Sequence, residues 1–256
     1  LHLCDRRQRQ MCIRDRCQVV ESELVETDGR YEIDFDDFEK KASREDVKLY
    51  ILCSPHNPVG RVWTEAELRR IAEICLAHGV FILSDEIHFD LIMPGYRHFS
   101  MMNLEGEYRA NCAVCTSPGK TFNLAGLVGS YHIAYSPWIR DRMEKECSLS
   151  HYDSMNVLSM HALIAAYSPE GSEWADELCA VLAGNIDFAC NYIKTRFDGV
   201  EVTKPEGTYI LFADCTKWCE AHGKTIDDVE RACWDVGVAV QDGPVSYTHL
   251  TLPTIA

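Results

Sequence analysis

Thr116-Ser117-Pro118-Gly119-Lys120-Thr121-Phe122-Asn123-Leu124-Ala125-Gly126-Leu127 is the stretch on which the reading of this chain turns. It follows the apolar run Cys112-Ala113-Val114-Cys115, which has the character of a short buried strand, and Ser117, Pro118 and Gly119 supply the turn that ends it. One lysine then stands among small and apolar residues. An ordinary lysine is solvated and inert. A lysine whose ammonium is partly desolvated loses its proton more readily and can attack a carbonyl to form a Schiff base.

Two further stretches favour the reactive reading. Ser54-Pro55-His56-Asn57-Pro58-Val59-Gly60 follows the apolar run from Val47 to Cys53, and Ser84-Asp85-Glu86-Ile87-His88 follows the run from Val80 to Leu83. Three strands thus each end by delivering a polar group: Asn57, Asp85 and Lys120. Helical patterns separate them, which predicts parallel strands with these residues gathered at their carboxyl ends, where open α/β sheets bind ligands. An amide, a carboxylate and a lysine form a set suited to pyridoxal phosphate. The lysine joins the aldehyde, the carboxylate keeps the pyridine nitrogen protonated, and the amide hydrogen-bonds the ring hydroxyl. Each residue also has a plainer reading: Asp85 as a helix N-cap after a strand, Asn57 as an Asn-Pro turn former.

In this order the three motifs resemble the class I/II aminotransferase superfamily, fold type I of the pyridoxal phosphate enzymes. His56-Asn-Pro-Val-Gly-Arg-Val-Trp63, Ser84-Asp-Glu-Ile-His88 and Lys120-Thr-Phe-Asn-Leu-Ala-Gly-Leu127 are similar to the MalY/PatB branch, the cystathionine β-lyases. The likeness runs from about Val19 to Gly243 and includes Glu206-Gly-Thr-Tyr-Ile-Leu-Phe212 and Val236-Gly-Val-Ala-Val-Gln-Asp-Gly243. It implies an α/β fold: a mostly parallel large domain and a smaller α/β domain, each incomplete here. It also implies Lys120 as catalytic residue, and Asn57, Asp85, His88, Ser117 and Lys120 as cofactor contacts. His88 stands where many relatives carry a tyrosine near the ring, and the Ser117 hydroxyl is a candidate for the phosphate. There are departures. Gly119 replaces a common serine before the lysine, and Val128 replaces a phosphate-binding arginine. By resemblance, about the first third of the family chain precedes Val19, and the arginine that grips the substrate carboxylate lies beyond Gly243. The 256 residues are therefore expected to be an inactive fragment of an enzyme that is a homodimer when complete.

Composition bounds the alternatives. A net charge of −15 argues against nucleic acid or an anionic membrane as the main partner, and no apolar stretch has the length of a bilayer span. Thirteen cysteines are present, yet Cys53, Cys75, Cys179, Cys190 and Cys233 sit inside apolar patterns as small hydrophobes. Cys112 and Cys115 have metal-ligand spacing without a second pair, so no metal site is expected. A reducing, cytoplasmic setting follows.

Along the chain, Leu1 to Arg16 is basic and aperiodic. Cys12-Ile-Arg-Asp-Arg16 and Val245-Ser-Tyr-Thr-His-Leu-Thr-Leu-Pro-Thr254 resemble translated adaptor strings, so residues 1–16 and 245–256 are expected to be non-native and loosely attached. Residues 17–167 form the expected cofactor domain and 168–244 the smaller one, joined by a helix from Gly171 to about Phe197. Within the smaller unit, Val200–Val202, Thr208–Ala213 and Val238–Val240 read as strands.

Three functions remain. The first is a carbon–sulfur β-lyase acting on cystathionine or another cysteine S-conjugate, a small amino-acid substrate, with thiol, pyruvate and ammonia as products. The second is an aminotransferase working through the same lysine. The third is an aminotransferase-like sensor domain of a transcription regulator, for which no basic DNA-binding segment appears.

Overall fold

A computed structural model describes residues 18–150 and 154–241, and the backbone of 251–255. The adaptor-like strings fall mostly outside these residues. The described chain opens with strand β1 (Val19–Thr27), whose alternating residues point inward, and a turn at Asp28-Gly29 leads into β2 (Arg30–Ile33). Asp34 accepts from the backbone N–H groups of Asp36 and Asp37, which starts helix α1 (Phe35–Ala42) and turns Phe38 into the core. Strand β3 (Leu49–Cys53) follows. Helix α2 (Glu65–Ala77) begins with the capping box Thr64/Glu67 that the sequence announces. Strand β4 (Phe81–Asp85), a short helix α3 (Gly106–Ala110), strand β5 (Cys112–Thr116) and strand β6 (Tyr131–Ala134) complete the expected strands of this half.

The sheet is mixed, in the order β2-β1-β9-β3-β4-β5-β6, where β9 is Thr251–Ile255. Among the described residues only the β3–β4 and β4–β5 pairs are parallel; β1, β2, β6 and β9 all pair antiparallel with their neighbours. This corrects the expectation of a mostly parallel sheet. Parallel neighbours need a long crossover, and here helical crossovers lie only between β3, β4 and β5, while β6 returns from β5 through the Lys120 loop. Residues 251–255, expected to be loosely attached, instead lie between β1 and β3 as β9. The outer edge of β3 carries ladder N–H and C=O groups that any extended segment can satisfy.

One face of β3-β4-β5 is closed. Tyr50, Leu52, Ile82, Cys112 and Val114 pack with Phe38, Leu68, Ile71, Cys75, Met101 and Leu104 into the main core. Beyond β6 the chain is helical: α4 (Pro137–Ser150), α5 (Val157–Ala166) and the long α6 (Pro169–Arg196), begun by the Ser168 cap with Pro169 at its first position. Trp138, Leu149, Leu158, Ile164 and Phe188 are exposed on these helices. Ile186 and Cys190 of α6 pack with Met93 into a second, smaller core.

The C-terminal unit holds less strand than expected. A two-residue ribbon joins β7 (Glu201–Val202) to β8 (Ala213–Asp214), and α7 (Thr216–His222) and α8 (Ile226–Asp235) follow. Residues 208–212 and 238–240 are not strands. The first segment is drawn onto other loops, and Val238–Val240 is exposed and pairs with no strand among the described residues.

Candidate active site

The site is set by parity along three strands. In β3 the buried residues are Tyr50 and Leu52, so Ile51 and Cys53 face the other way; in β4 Ile82 and Ser84 face the core, and Leu83 and Asp85 do not. Register places Cys53, Asp85 and Cys115 in one row across β3, β4 and β5. Residues paired across a ladder project to the same face. Asp85 therefore stands at the carboxyl end of the central strand, on the half-open face, with a thiol on either side. Glu86, one residue later, turns into the protein. Its Oε1 accepts from Ser84 Oγ at 3.0 Å and Met101 N at 2.9 Å, and its Oε2 lies 3.0 Å from His98 Nε2. Of the adjacent carboxylates, one is structural and one is presented.

Asp85 Oδ1 also accepts from Ile87 N at 3.2 Å, so the capping role foreseen for it is real and uses one carboxylate oxygen. Burial, followed by the charges of Asp85 and Glu86, pushes the Cys115 thiol up to about 11, so it stays protonated beside the carboxylate.

Asn57 rides on a turn closed by backbone bonds from His56 N to Arg61 O (2.8 Å) and Gly60 N to His56 O (2.7 Å). The bonds Ser54–Pro55 and Asn57–Pro58 are both cis. Asn57 N donates to Cys53 Sγ at 3.4 Å, and that thiol donates to Pro55 O at 3.4 Å. Cys53 thus pins the Asn57 turn from the same row that holds Asp85. The sequence reading took Cys53 for a small hydrophobe; its parity with Asp85 was the signal available.

Lys120 is half-buried in the turn after β5, and its neighbours are anchored. Ser117 Oγ donates to Gly129 O at 2.5 Å and accepts from Gly119 N at 3.0 Å, so this hydroxyl is directed into its own loop. On the other side the buried Thr121 donates to Asp90 Oδ2 at 3.2 Å. Burial raises Asp90 to about 6, against the Thr121 hydrogen bond and the nearby His98, which lower it. Phe122 stacks on Trp174 at 5.6 Å and meets Tyr167 edge-on at 6.0 Å. Asp90 is a residue that sequence spacing did not single out. His88 is buried in the loop after Asp85, with its ring 5.4 Å from that of Tyr209.

Asp85 therefore ends β4, and Asn57, His88, Ser117 and Lys120 lie on the loops that leave the carboxyl ends of β3, β4 and β5. The residue types of this edge, an amine, a carboxylate and an amide, fit a protonated pyridine ring bearing an aldehyde and a hydroxyl. Among the described residues no group of side chains has the arrangement of a metal site, and no helix is long and apolar enough to cross a membrane.

Comparison with known proteins places the chain in a family. The family described as aminotransferase class I and II matches residues 9–250. Cystathionine beta-lyase PatB of Bacillus subtilis is 37% identical over 229 residues, covering 90% of this chain and 58% of the relative. Protein MalY of Escherichia coli is 33% identical over 182 residues, covering 71% and 46%. The crystal structure of cystalysin from Treponema denticola, which contains pyridoxal 5'-phosphate, superposes with a TM-score of 0.83 at 31% identity, covering 92% of this chain and 59% of that one. The chain thus spans less than two thirds of the length of these relatives.

Proposed function

The chain belongs to the aminotransferase class I and II family, and from that premise we propose that the whole protein is a pyridoxal phosphate-dependent carbon–sulfur β-lyase. Its substrate would be cystathionine or a related cysteine S-conjugate. The observation that carries the reading is the row Cys53–Asp85–Cys115 on the half-open face of the sheet, with the Asn57 and Lys120 loops leaving the same edge. The names of the relatives, cystathionine beta-lyase and the pyridoxal phosphate-containing cystalysin, support the choice of reaction.

Pyridoxal phosphate supplies an aldehyde and a ring that withdraws electrons from a substrate's α-carbon. The chain supplies the rest. The Lys120 Nζ would hold the aldehyde and would move the proton at the substrate's α-carbon. The Asp85 carboxylate would hold the proton on the ring nitrogen, beside a Cys115 thiol that burial keeps protonated. The Asn57 amide would orient the ring through its hydroxyl. His88, whose ring meets that of Tyr209, would help hold the ring, and Ser117, which shapes its own turn, would serve the phosphate. With water consumed, the thioether yields a thiol, pyruvate and ammonia. We assign residues 17–167 to a large cofactor domain and 168–244 to a small one, and the whole protein to a cytoplasmic homodimer. Reduced cysteines such as Cys75 and Cys112, buried with raised thiol pKa values, suit that compartment.

The test uses a chain completed to the length of its relatives. Given cystathionine and no keto acid, it should release pyruvate and thiol continuously. Turnover that requires a keto acid and releases no thiol would make the protein an aminotransferase instead.

A further inference from the structure

Residues 205–208 follow the long helix α6, yet they are bonded to the loops of the sheet edge. The backbone N–H groups of Glu206 and Gly207 both donate to Gly60 O, at 2.8 and 2.9 Å. Met93 N donates to Glu206 O at 2.9 Å, and Thr208 N donates to Leu91 O at 2.7 Å. One short segment therefore bridges the turn that carries Asn57 and the loop that follows Asp85 and His88. The fit is close. A Cβ on Gly60 would lie 2.2 Å from Pro205 Cβ, and one on Gly207 would lie 3.0 Å from Leu91 O.

The bridge is fastened by charge. Glu206 Oε2 accepts from Arg61 Nη1 at 2.6 Å and from Val62 N at 2.9 Å, and its Oε1 accepts from Arg30 Nε at 3.0 Å. Arg61 is 1% exposed. Its remaining donors reach Tyr31 O at 2.6 Å, Val62 O at 3.1 Å and Glu67 Oε1 at 2.5 Å, and its guanidinium lies 4.6 Å from the centre of the Trp63 ring. Two arginines face two glutamates, so the cluster is neutral, and every nitrogen of the buried guanidinium has a hydrogen-bond partner. A pair in this state resists the loss of either partner far more than a surface pair does. Arg61 is also the residue whose carbonyl closes the Asn57 turn.

We propose that Glu206, acting through Arg61, is a positioning residue for Asn57, and that residues 205–208 lock the Asn57 turn and the loop after Asp85 into one rigid edge. The catalytic meaning of that edge rests on the function proposed above; the lock itself does not. Mechanically, the segment belongs with the sheet and ends at Thr208. That residue is β-branched and sits at φ 69°, a conformation that needs its surroundings to hold it.

The test is hydrogen exchange on this chain, read peptide by peptide. Glu206→Gln keeps the shape of the side chain and removes its charge. It should speed exchange in peptides spanning 56–62 and 205–208 by about tenfold or more, the weight of one charge-assisted hydrogen bond, and leave the β3, β4 and β5 amides unchanged. Glu67→Gln also deprives Arg61 of a carboxylate but does not touch the bridge, so residues 205–208 should stay protected. Unchanged exchange in Glu206→Gln, or equal opening of 205–208 in both variants, would overturn the lock. If Glu206→Gln does not fold, Gly207→Ala lifts the segment sterically with every charge in place, and the same two peptides should open together. In a completed chain loaded with pyridoxal phosphate, loosening Asn57 takes a donor from the ring hydroxyl oxygen. The visible band of the Glu206→Gln protein should then titrate at higher pH than that of the parent. An unmoved titration alongside open peptides would refute the positioning role. A parent with no visible band would refute the function reading and leave the exchange result standing.

Discussion

The two faces of β3, β4 and β5 are built from the same strands and behave as different materials. Toward the helices stand Tyr50, Leu52, Ile82, Cys112 and Val114, closed over by Phe38, Leu68, Ile71, Met101 and Leu104. Away from them stand Ile51, Cys53, Leu83, Asp85 and Cys115, all half-buried. The difference is one of parity, since successive residues of a strand project to opposite sides. Polar groups obey it too. On the core side Glu86 is fully used in holding Ser84, Met101 and His98. On the open side Asp85 spends one oxygen on its own loop. Stability is concentrated on one face, and the proposed chemistry lies on the other.

The sharpest way to break this contrast is to change each face and ask which property moves. Lys120→Ala, in a chain completed to the length of its relatives, should lower turnover by at least about a thousandfold, the scale of losing a positioned proton-transfer group. Denaturant unfolding should shift by no more than about 0.5 kcal/mol, because a half-buried lysine with its neighbours already anchored carries little packing. Borohydride reduction with pyridoxal phosphate, followed by peptide mapping, checks the assignment directly. A label on any other lysine would remove Lys120 from the site.

Two leucines make the complementary comparison. Leu52 is fully buried on the core face, and Leu83 is half-buried on the other. Leu52→Ala should cost about 2–5 kcal/mol in urea unfolding, the range for deleting a packed aliphatic side chain, and Leu83→Ala less than half of that. Equal losses would mean that the second face is packed as tightly as the first.

Much of this was legible in the chain. The capping box at Thr64, the Asp34 cap, and the apolar runs ending in Asn57, Asp85 and Lys120 are local signals, and each produced the element it announced. Signals that depend on pairing were not legible. The apolar run Val238–Val240 has strand composition, but composition supplies no partner ladder. Strand β9 is the converse, since a segment read as loosely attached lies in the sheet between β1 and β3. At the site, residue types could be read but their commitments could not. Ser117 looked like a phosphate ligand and is bonded to Gly129 O, while Cys53 looked like filler and supports Asn57. Arg61 and Glu206 are 145 residues apart, a distance no local pattern bridges.

His56 offers the smallest effect and the most demanding comparison, because it lies beside Asn57 yet is packed like a core residue. It is buried edge-on to Trp63 at 6.0 Å, and its Nδ1 has no hydrogen-bond partner among the described residues. Burial, followed by the charge of Arg61, lowers its pKa from 6.5 to about 4. Between those values the unfolded chain binds a proton that the native state refuses, so this residue's contribution is complete above pH 6.5 and is lost as pH falls toward 4. From neutral pH to about pH 5 the loss should be about 2 kcal/mol, following from 1.36 kcal/mol per pKa unit. Asp90 works in the opposite direction. Its pKa is raised from 3.8 to about 6, so the native state binds the extra proton in that window and stability from this group falls as pH rises through it. Urea unfolding at the two pH values should therefore show His56→Asn flattening the acid-side loss, and Asp90→Asn steepening it. If His56→Asn leaves the pH dependence of the parent unchanged, the imidazole is protonating in place, and the Asn57 edge is more open to water than the packed side of the sheet.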